Sequence, residues 1–354
     1  MTHLFDPLTI KDVTLRNRVG VSPMCQYSYR EGFSNDWQSV HLGTRAVGGA
    51  GLVIAEATAV EPRGRITPFD VGIWSDDHIE PLQRVTKVIK DNGAVAGIQI
   101  GHAGRKACTS QPWKGGSPVK QDDPDWWQAV SASAIPFSSE HQVPIELTID
   151  EIHGIEELFV QGAIRSLAAG FEWLEVHAAH GYLLQSFCSP LSNRRTDLYG
   201  GPFENRTRML LEVVQKLRGV WPDRLPLTVR ISGVEWVEGG WNLEESVALA
   251  RLLKAEGVDL IDCSSGGNLS YAKVPAEPGY QVFIAEAVRK GVDIPTAAVG
   301  LITDSKQAEE IVTSGKADLV LLGREMLRNP YWALHAAKQL GQPAPVPPQY
   351  LRSF

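Results

Sequence analysis

Eight short apolar runs, spread over the whole length of the chain, restrict what this sequence can fold into more than anything else in it. They occupy residues 18–22, 52–57, 95–100, 173–176, 227–231, 260–264, 296–299 and 319–323. Each is nearly continuous in aliphatic and β-branched residues and ends in small or polar ones, the pattern of parallel strands buried on both faces. Helical patterns separate most of them. After Thr148, residues Ile152, Ile155, Phe159, Ala163 and Leu167 return on one face; Thr148 with Glu151 makes a capping box, and Gly170 closes the helix. Over 208–218, Leu210, Val213, Val214 and Leu217 repeat the idea. Asn242 with Glu245 opens a helix that Gly257 ends, and Asp304 with Gln307 opens one that Gly315 ends. Strand and helix alternate with no linker or shift of composition, which predicts an α/β fold, a (β/α)8 TIM barrel forming a single domain over 1–354. A doubly wound sheet would place a glycine-rich turn after the first strand. Here that strand runs into Ser22-Pro23-Met24-Cys25, there is no G-x-G-x-x-G, and Gly315-Lys316 lacks the earlier glycine of a phosphate-binding loop.

Two stretches break the alternation. Residues 108–137, rich in Pro, Asp, Ser and Trp, are too long for an ordinary connection. Trp113, Trp126 and Trp127 point to a partly packed flap over the barrel mouth, against a mobile surface loop. The proline-rich tail 343–354 is either a frayed end or a segment that packs on a neighbouring subunit.

Composition narrows the partners. A net charge of −7 with no basic block argues against nucleic acid and anionic membranes. No apolar run reaches membrane-spanning length, and the first residues carry no export-type leader. Cys25, Cys108, Cys188 and Cys263 are widely spaced and form no C-x-x-C pair, as expected of reduced thiols in the cytoplasm.

In a barrel of this kind, chemistry sits at the C-terminal ends of the strands. Those ends supply Ser22, Met24, Cys25 and Tyr27 from the first strand, and Glu56, Ala57 and Thr58 from the second. The third gives Gln99, His102 and Arg105; the fourth, just past its end, gives His177, His180 and Tyr182; the fifth gives Arg230. Gly300, Gly323 and Arg324 follow the seventh and eighth, where barrels often hold a phosphate on backbone N–H groups and a helix N-terminus. Arg230 inside an apolar run must face a counter-ion or a ligand, because an unpaired buried charge is very costly. Gln99 needs an amide-like partner, and a flat heterocycle with carbonyls and ring nitrogens suits both. A zinc site at the histidine pair is not expected: the His-Ala-Ala-His spacing is three rather than four, and no third carboxylate ligand lies near. Cys25 has no adjacent histidine to activate it as a nucleophile.

The residues from Asn193 to Arg206, N-x-R-x-D-x-Y-G-G-x-x-E-N-R, together with His177-Ala-Ala-His-Gly-Tyr182 and Gln99-Ile-Gly-His-Ala-Gly-Arg105, carry a resemblance. The sequence is similar from end to end to the Old Yellow Enzyme family of flavin-dependent ene-reductases. Ser22-Pro-Met-Cys25, Tyr27 and the ending Gln349-Tyr-Leu-Arg352 resemble its thermophilic-like subgroup. The resemblance implies FMN at the barrel mouth, with Ser22, Pro23, Met24, Cys25, Ala57, Gln99 and Arg230 around its ring and Gly300, Gly323 and Arg324 near its phosphate. It implies NADPH, or NADH, as reductant and enones, enals, maleimides or nitro compounds as substrates. His177, His180 and Tyr27 would bind the substrate oxygen, Tyr182 would act as the acid, and Cys25 would tune the flavin. Arg352 would reach a neighbouring subunit's pocket in a homodimer or homotetramer. Two departures bear on the pocket: the flap is longer than the subgroup's, and Leu301 stands where one member carries tryptophan. A metal-dependent barrel hydrolase or lyase, and a flavin-binding barrel without catalysis, are the other readings.

Overall fold

The apolar runs become eight parallel strands that close into a barrel: β1 (Val19–Val21), β2 (Leu52–Ala59), β3 (Val95–Gly101), β4 (Trp173–Ala178), β5 (Leu227–Ser232), β6 (Leu260–Ser264), β7 (Thr296–Ala298) and β8 (Leu319–Leu322). This computed structural model describes residues 2–353; Met1 and Phe354, the ends of the expected 1–354 unit, lie outside the described residues. Each strand pairs with its neighbours in sequence, and β8 pairs with β1 through Val320–Val19, Leu321–Gly20 and Leu322–Val21. Glycine lets the two strands' side chains pack closely at that seam: a Cβ on Gly20 would stand 2.4 Å from a Leu321 methyl group, which would have to shift. Eight helices follow the strands: α1 (Asp36–Val47), α2 (Ile79–Asp91), α3 (Ile149–Ala168), α4 (Phe203–Val220), α5 (Leu243–Ala255), α6 (Val282–Val292), α7 (Ser305–Thr313) and α8 (Trp332–Leu340).

The helix starts form for the reasons the sequence suggests. The Thr148 hydroxyl accepts from the Glu151 N–H (3.2 Å), and the Glu151 carboxylate accepts from the Thr148 N–H (2.9 Å). Asn242 caps α5 through the Glu245 N–H, and Asp304 caps α7 through the N–H groups of Lys306 and Gln307. Strand residues such as Val53, Ile98, Leu174 and Val229 are fully buried. Each such side chain stabilises the fold by about 1.5–3 kcal/mol relative to exposure.

Several features differ from the sequence reading. Strand β4 runs two residues further than expected, so His177 and Ala178 belong to it and only His180 and Tyr182 lie beyond. Helices α1 and α2 are additional to those named from the sequence, and α2 buries Leu82, Val85, Thr86 and Ile89 along one face. Short helices stand at Leu183–Cys188 and Arg324–Arg328, and a hairpin pairs Leu8–Ile10 with Val13–Leu15. The flap is packed. The Trp127 indole N–H donates to the Arg63 carbonyl (2.9 Å), Arg65 lies 4.9 Å over the Trp127 ring, and Val130–Ser131 pairs with Ile145–Glu146. Among the described residues no helix is long and apolar enough to cross a membrane.

Candidate active site

The end of β4 and the turn after it gather the polar residues. His177 is buried and lies in register with Arg230 on β5. Its Nδ1 accepts from the Ala179 N–H (3.3 Å), which leaves the ring proton on Nε2. His180 adopts the left-handed conformation (φ 61°), held by a hydrogen bond from its N–H to the Ser232 hydroxyl (2.9 Å). Gly181 must be glycine: its φ is 76°, and a Cβ would stand 2.5 Å from the backbone of Asn268. The turn thus stacks three rings, with His177 edge-on to His180 at 5.1 Å and to Tyr182 at 4.9 Å. Burial, His180, Arg230 and Lys106 hold the His177 imidazole neutral, and burial with the same two cations pushes His180 down to about 3. Burial, with Cys25 and Asp70, raises the Tyr182 phenol well above its ordinary value, so it keeps its proton. His180 Nε2 also meets the Ser264 hydroxyl at 2.7 Å, a partner that was not foreseen.

Lys106 is a member of this cluster that sequence reasoning missed. Its ammonium donates to the carbonyls of His180 and Gly267 (both 2.8 Å) and lies 5.2 Å from the centre of the Tyr182 ring. Burial, then Arg105, pushes it down to about 8. The only sequence signal was its place after the third strand, next to Arg105. Arg105 itself is spent on structure, donating to the Asn268 carbonyl (2.5 Å) and side chain (2.8 Å). His102 is likewise occupied by Glu61 at 2.7 Å.

The end of β1 approaches the same point. The Cys25 thiol is pushed well up by burial, Asp70 and Glu56, so it stays protonated and is a poor nucleophile. Burial, Cys25 and Tyr182 raise the Tyr27 phenol, which places Cys25, Tyr27 and Tyr182 in mutual electrostatic reach. Tyr27 sits at φ 50°, its carbonyl accepts from Gln111 of the flap (2.8 Å), and its ring meets Trp113 edge-on at 6.1 Å. Beneath them Glu56 accepts from the Tyr29 hydroxyl (2.5 Å) and the Gln26 N–H (2.6 Å), and burial pushes its carboxyl up to about 8. The pairing of β2 with β3 slips between Ala55 and Thr58, a bulge that re-aims Glu56 and half-buried Ala57.

Arg230 finds the counter-ion that the sequence argument allowed, whereas Gln99 finds a carboxylate in place of the amide-like partner expected for it. Arg230 Nε donates to Asp262, its Nη2 donates to the Ser22 hydroxyl (2.9 Å), and Glu175 stands 3.7 Å away. The Gln99 amide donates to Glu175 at 2.8 Å. Burial raises both carboxyls, and their pairing with Arg230 in turn favours its charged form. The partners sit on the flanking strands in cross-strand register, so spacing along the chain did not point to them.

A cleft runs outward from this cluster. Ser22, Arg230, His180 and Ser264 line its inner end, and Gly300, Leu301, Gly323 and Arg324 line its outer end. Gly300 has φ 124° and is crowded by Gln281, so its backbone faces the cleft without a side chain. Gly323 lies at an ordinary φ of −94° with open contact to Met24, so its absent Cβ is a matter of space rather than strain. Arg324 is exposed and makes no ion pair among the described residues, whereas Arg328 is paired with Glu325 at 2.6 Å. A cation and side-chain-free backbone at one end, and Arg230 with Ser22 at the other, fit a ligand with a flat ring and a phosphate, as FMN has. His177, Tyr182, Tyr27, Cys25, Pro23, Met24, Ala57 and Gln99 do not line this cleft; His177 and Tyr182 stand beside its inner end through His180, and Met24 lies against Gly323. Arg352 is exposed in the tail, beyond Tyr350, whose hydroxyl lies 3.4 Å from that of Tyr331, and is not brought to this chain's own site.

The model of the NADH:flavin oxidoreductase / NADH oxidase family matches residues 3–342. An NADPH dehydrogenase of Bacillus subtilis (strain 168) is 45% identical over 353 residues, covering 99% of both chains. An NADPH dehydrogenase of Geobacillus sp. (strain WCH70) is 46% identical, covering 100% of this chain and 99% of its own. Among solved structures, morphinone reductase in complex with tetrahydroNAD superposes with a TM-score of 0.80 at 27% identity, over 97% of this chain and 92% of its own. The barrel, the cleft and these likenesses agree: the chain belongs to the NADH:flavin oxidoreductase / NADH oxidase family, the FMN-dependent oxidoreductases of the Old Yellow Enzyme type.

Proposed function

We propose that this chain is an NADPH dehydrogenase that reduces the activated C=C bond of enones, enals, maleimides or nitroalkenes. The observation that carries the reading is the meeting of a neutral imidazole, His177, with a protonated phenol, Tyr182, at 4.9 Å beside the cleft that ends at Arg324. When bound, FMN supplies the hydride relay from the nicotinamide to the β-carbon of the substrate. Arg324, with the backbone at Gly300 and Gly323, would hold its phosphate. Arg230, kept charged by Asp262 and Glu175, would stand by the ring with Ser22, Pro23, Met24, Cys25, Ala57 and Gln99.

The residues around the substrate divide the remaining work. His177 presents its Nε2–H to the carbonyl or nitro oxygen, where charge develops. His180 joins it by exchanging the Ser264 hydroxyl for that oxygen. Tyr27 adds a further hydrogen bond from the flap side. Tyr182, which keeps its proton to high pH, gives it to the α-carbon. The Cys25 thiol stays protonated and acts on the cofactor's potential rather than on carbon. The free position of Arg352 suits a neighbouring pocket in a homo-oligomer, and the free thiols suit the cytoplasm.

The test is an absorption spectrum of the purified protein under nitrogen. NADPH should bleach the flavin band, and a cyclic enone should restore it. A protein that stays colourless with added FMN, or one whose reduced flavin an enone leaves unchanged, would refute the proposal. His177→Ala should weaken binding of phenols and enones by about tenfold or more, read from their flavin charge-transfer bands.

A further inference from the structure

We propose that His153 and Glu156 of α3 and Glu212 of α4 form a binding site for one divalent cation, of the zinc class, on the outside of the barrel. Nothing in the flavin chemistry uses these residues. Their ligand atoms all lie within 4.8 Å of one another. His153 and Glu156 are three apart on one helix and so share a face, and the neighbouring helix brings Glu212 against it. One nitrogen and two carboxylate oxygens are the set that zinc accepts, with a position left for water. His153 is exposed and Glu156 is buried, so the group opens to solvent on one side.

A second observation points to a missing partner. The Glu156 side chain is 1% exposed, and its Oε1 makes no hydrogen bond. The other oxygen accepts from the Lys216 ammonium (2.7 Å), which is partly exposed and free to swing into water. A buried carboxylate oxygen facing a second carboxylate is costly unless a cation or a proton stands between them. The Tyr199 hydroxyl donates to Glu212 (2.8 Å) and stands 3.0 Å from His153 Nε2. That is the outer hydrogen bond that orients metal-binding carboxylates. Tyr199 belongs to the 193–206 motif, so the cation would tie that loop to α3 and α4.

Titration calorimetry of the FMN-loaded protein with zinc chloride tests this, with the flavin spectrum followed in parallel. One equivalent of zinc should bind at micromolar or lower concentration, raise the melting temperature and leave the flavin spectrum unchanged. His153→Ala, at an exposed position, and Glu212→Gln should each weaken binding by about 10–100-fold. No binding, or zinc binding that both variants retain, would overturn the site.

Discussion

Replacing Lys106 by methionine tests the electrostatics of the proposed acid directly. Tyr182 becomes negative as it gives up its proton, and the nearest cation is the Lys106 ammonium, 5.2 Å from its ring. At that distance, with an effective dielectric constant of about 20, the attraction is at most about 3 kcal/mol. Each 1.36 kcal/mol is tenfold in rate, so the Lys106→Met enzyme should reoxidise with an enone about 10–100-fold more slowly. Folding should hardly change. The carbonyls of His180 and Gly267 lose a donor, at about 1–3 kcal/mol each. Against that, the variant no longer buries an ammonium whose fall from 10.5 to about 8 corresponds to about 3 kcal/mol. The assay is stopped-flow, with each half-reaction measured separately. Flavin reduction by NADPH does not draw on Tyr182 and should be unaffected. The wild type should lose its advantage as the pH rises through about 8 and Lys106 discharges, while the variant stays flat there. Equal oxidative rates in the two proteins, or equal slowing of both half-reactions, would refute the role given to Lys106.

Tyr182→Phe should slow enone reduction by about 10²–10⁴-fold and leave reduction by NADPH intact, measured in the same apparatus. Arg324→Ala removes the unpaired cation at the outer end of the cleft, and FMN should dissociate about 10–100-fold more readily on dilution, read from released flavin fluorescence. Glu56 is raised from 4.5 to about 8, so its contribution to stability is complete below about pH 4.5 and is lost as pH rises through about 8. Glu56→Gln should therefore flatten the fall in melting temperature across that window, whereas a parallel fall in both proteins would remove Glu56 as its source.

The barrel was legible because buried parallel strands write themselves as apolar runs, and the helix starts because Thr148, Asn242 and Asp304 each need a particular partner two or three residues on. The cluster at His177, His180 and Tyr182 was legible for the same reason, being local in sequence. What stayed hidden is what the barrel joins at a distance. Glu175 and Asp262 read as isolated acids within apolar runs until β5 places Arg230 between them. Lys106 lies 74 residues from the His180 carbonyl that it supports. The two extra residues of β4 and the bulge in β2 come from pairing with the neighbouring strands, which overrides local pattern.

The seam between β8 and β1 joins segments that are born some 300 residues apart. Ser22 and Cys25 leave the ribosome some 300 residues before Arg324. A nascent chain that stops short of β8 holds one end of the cofactor's berth and not the other. Flavin uptake is therefore expected to be a late, post-synthetic step, and the unfilled barrel is the species on which cellular quality control would act.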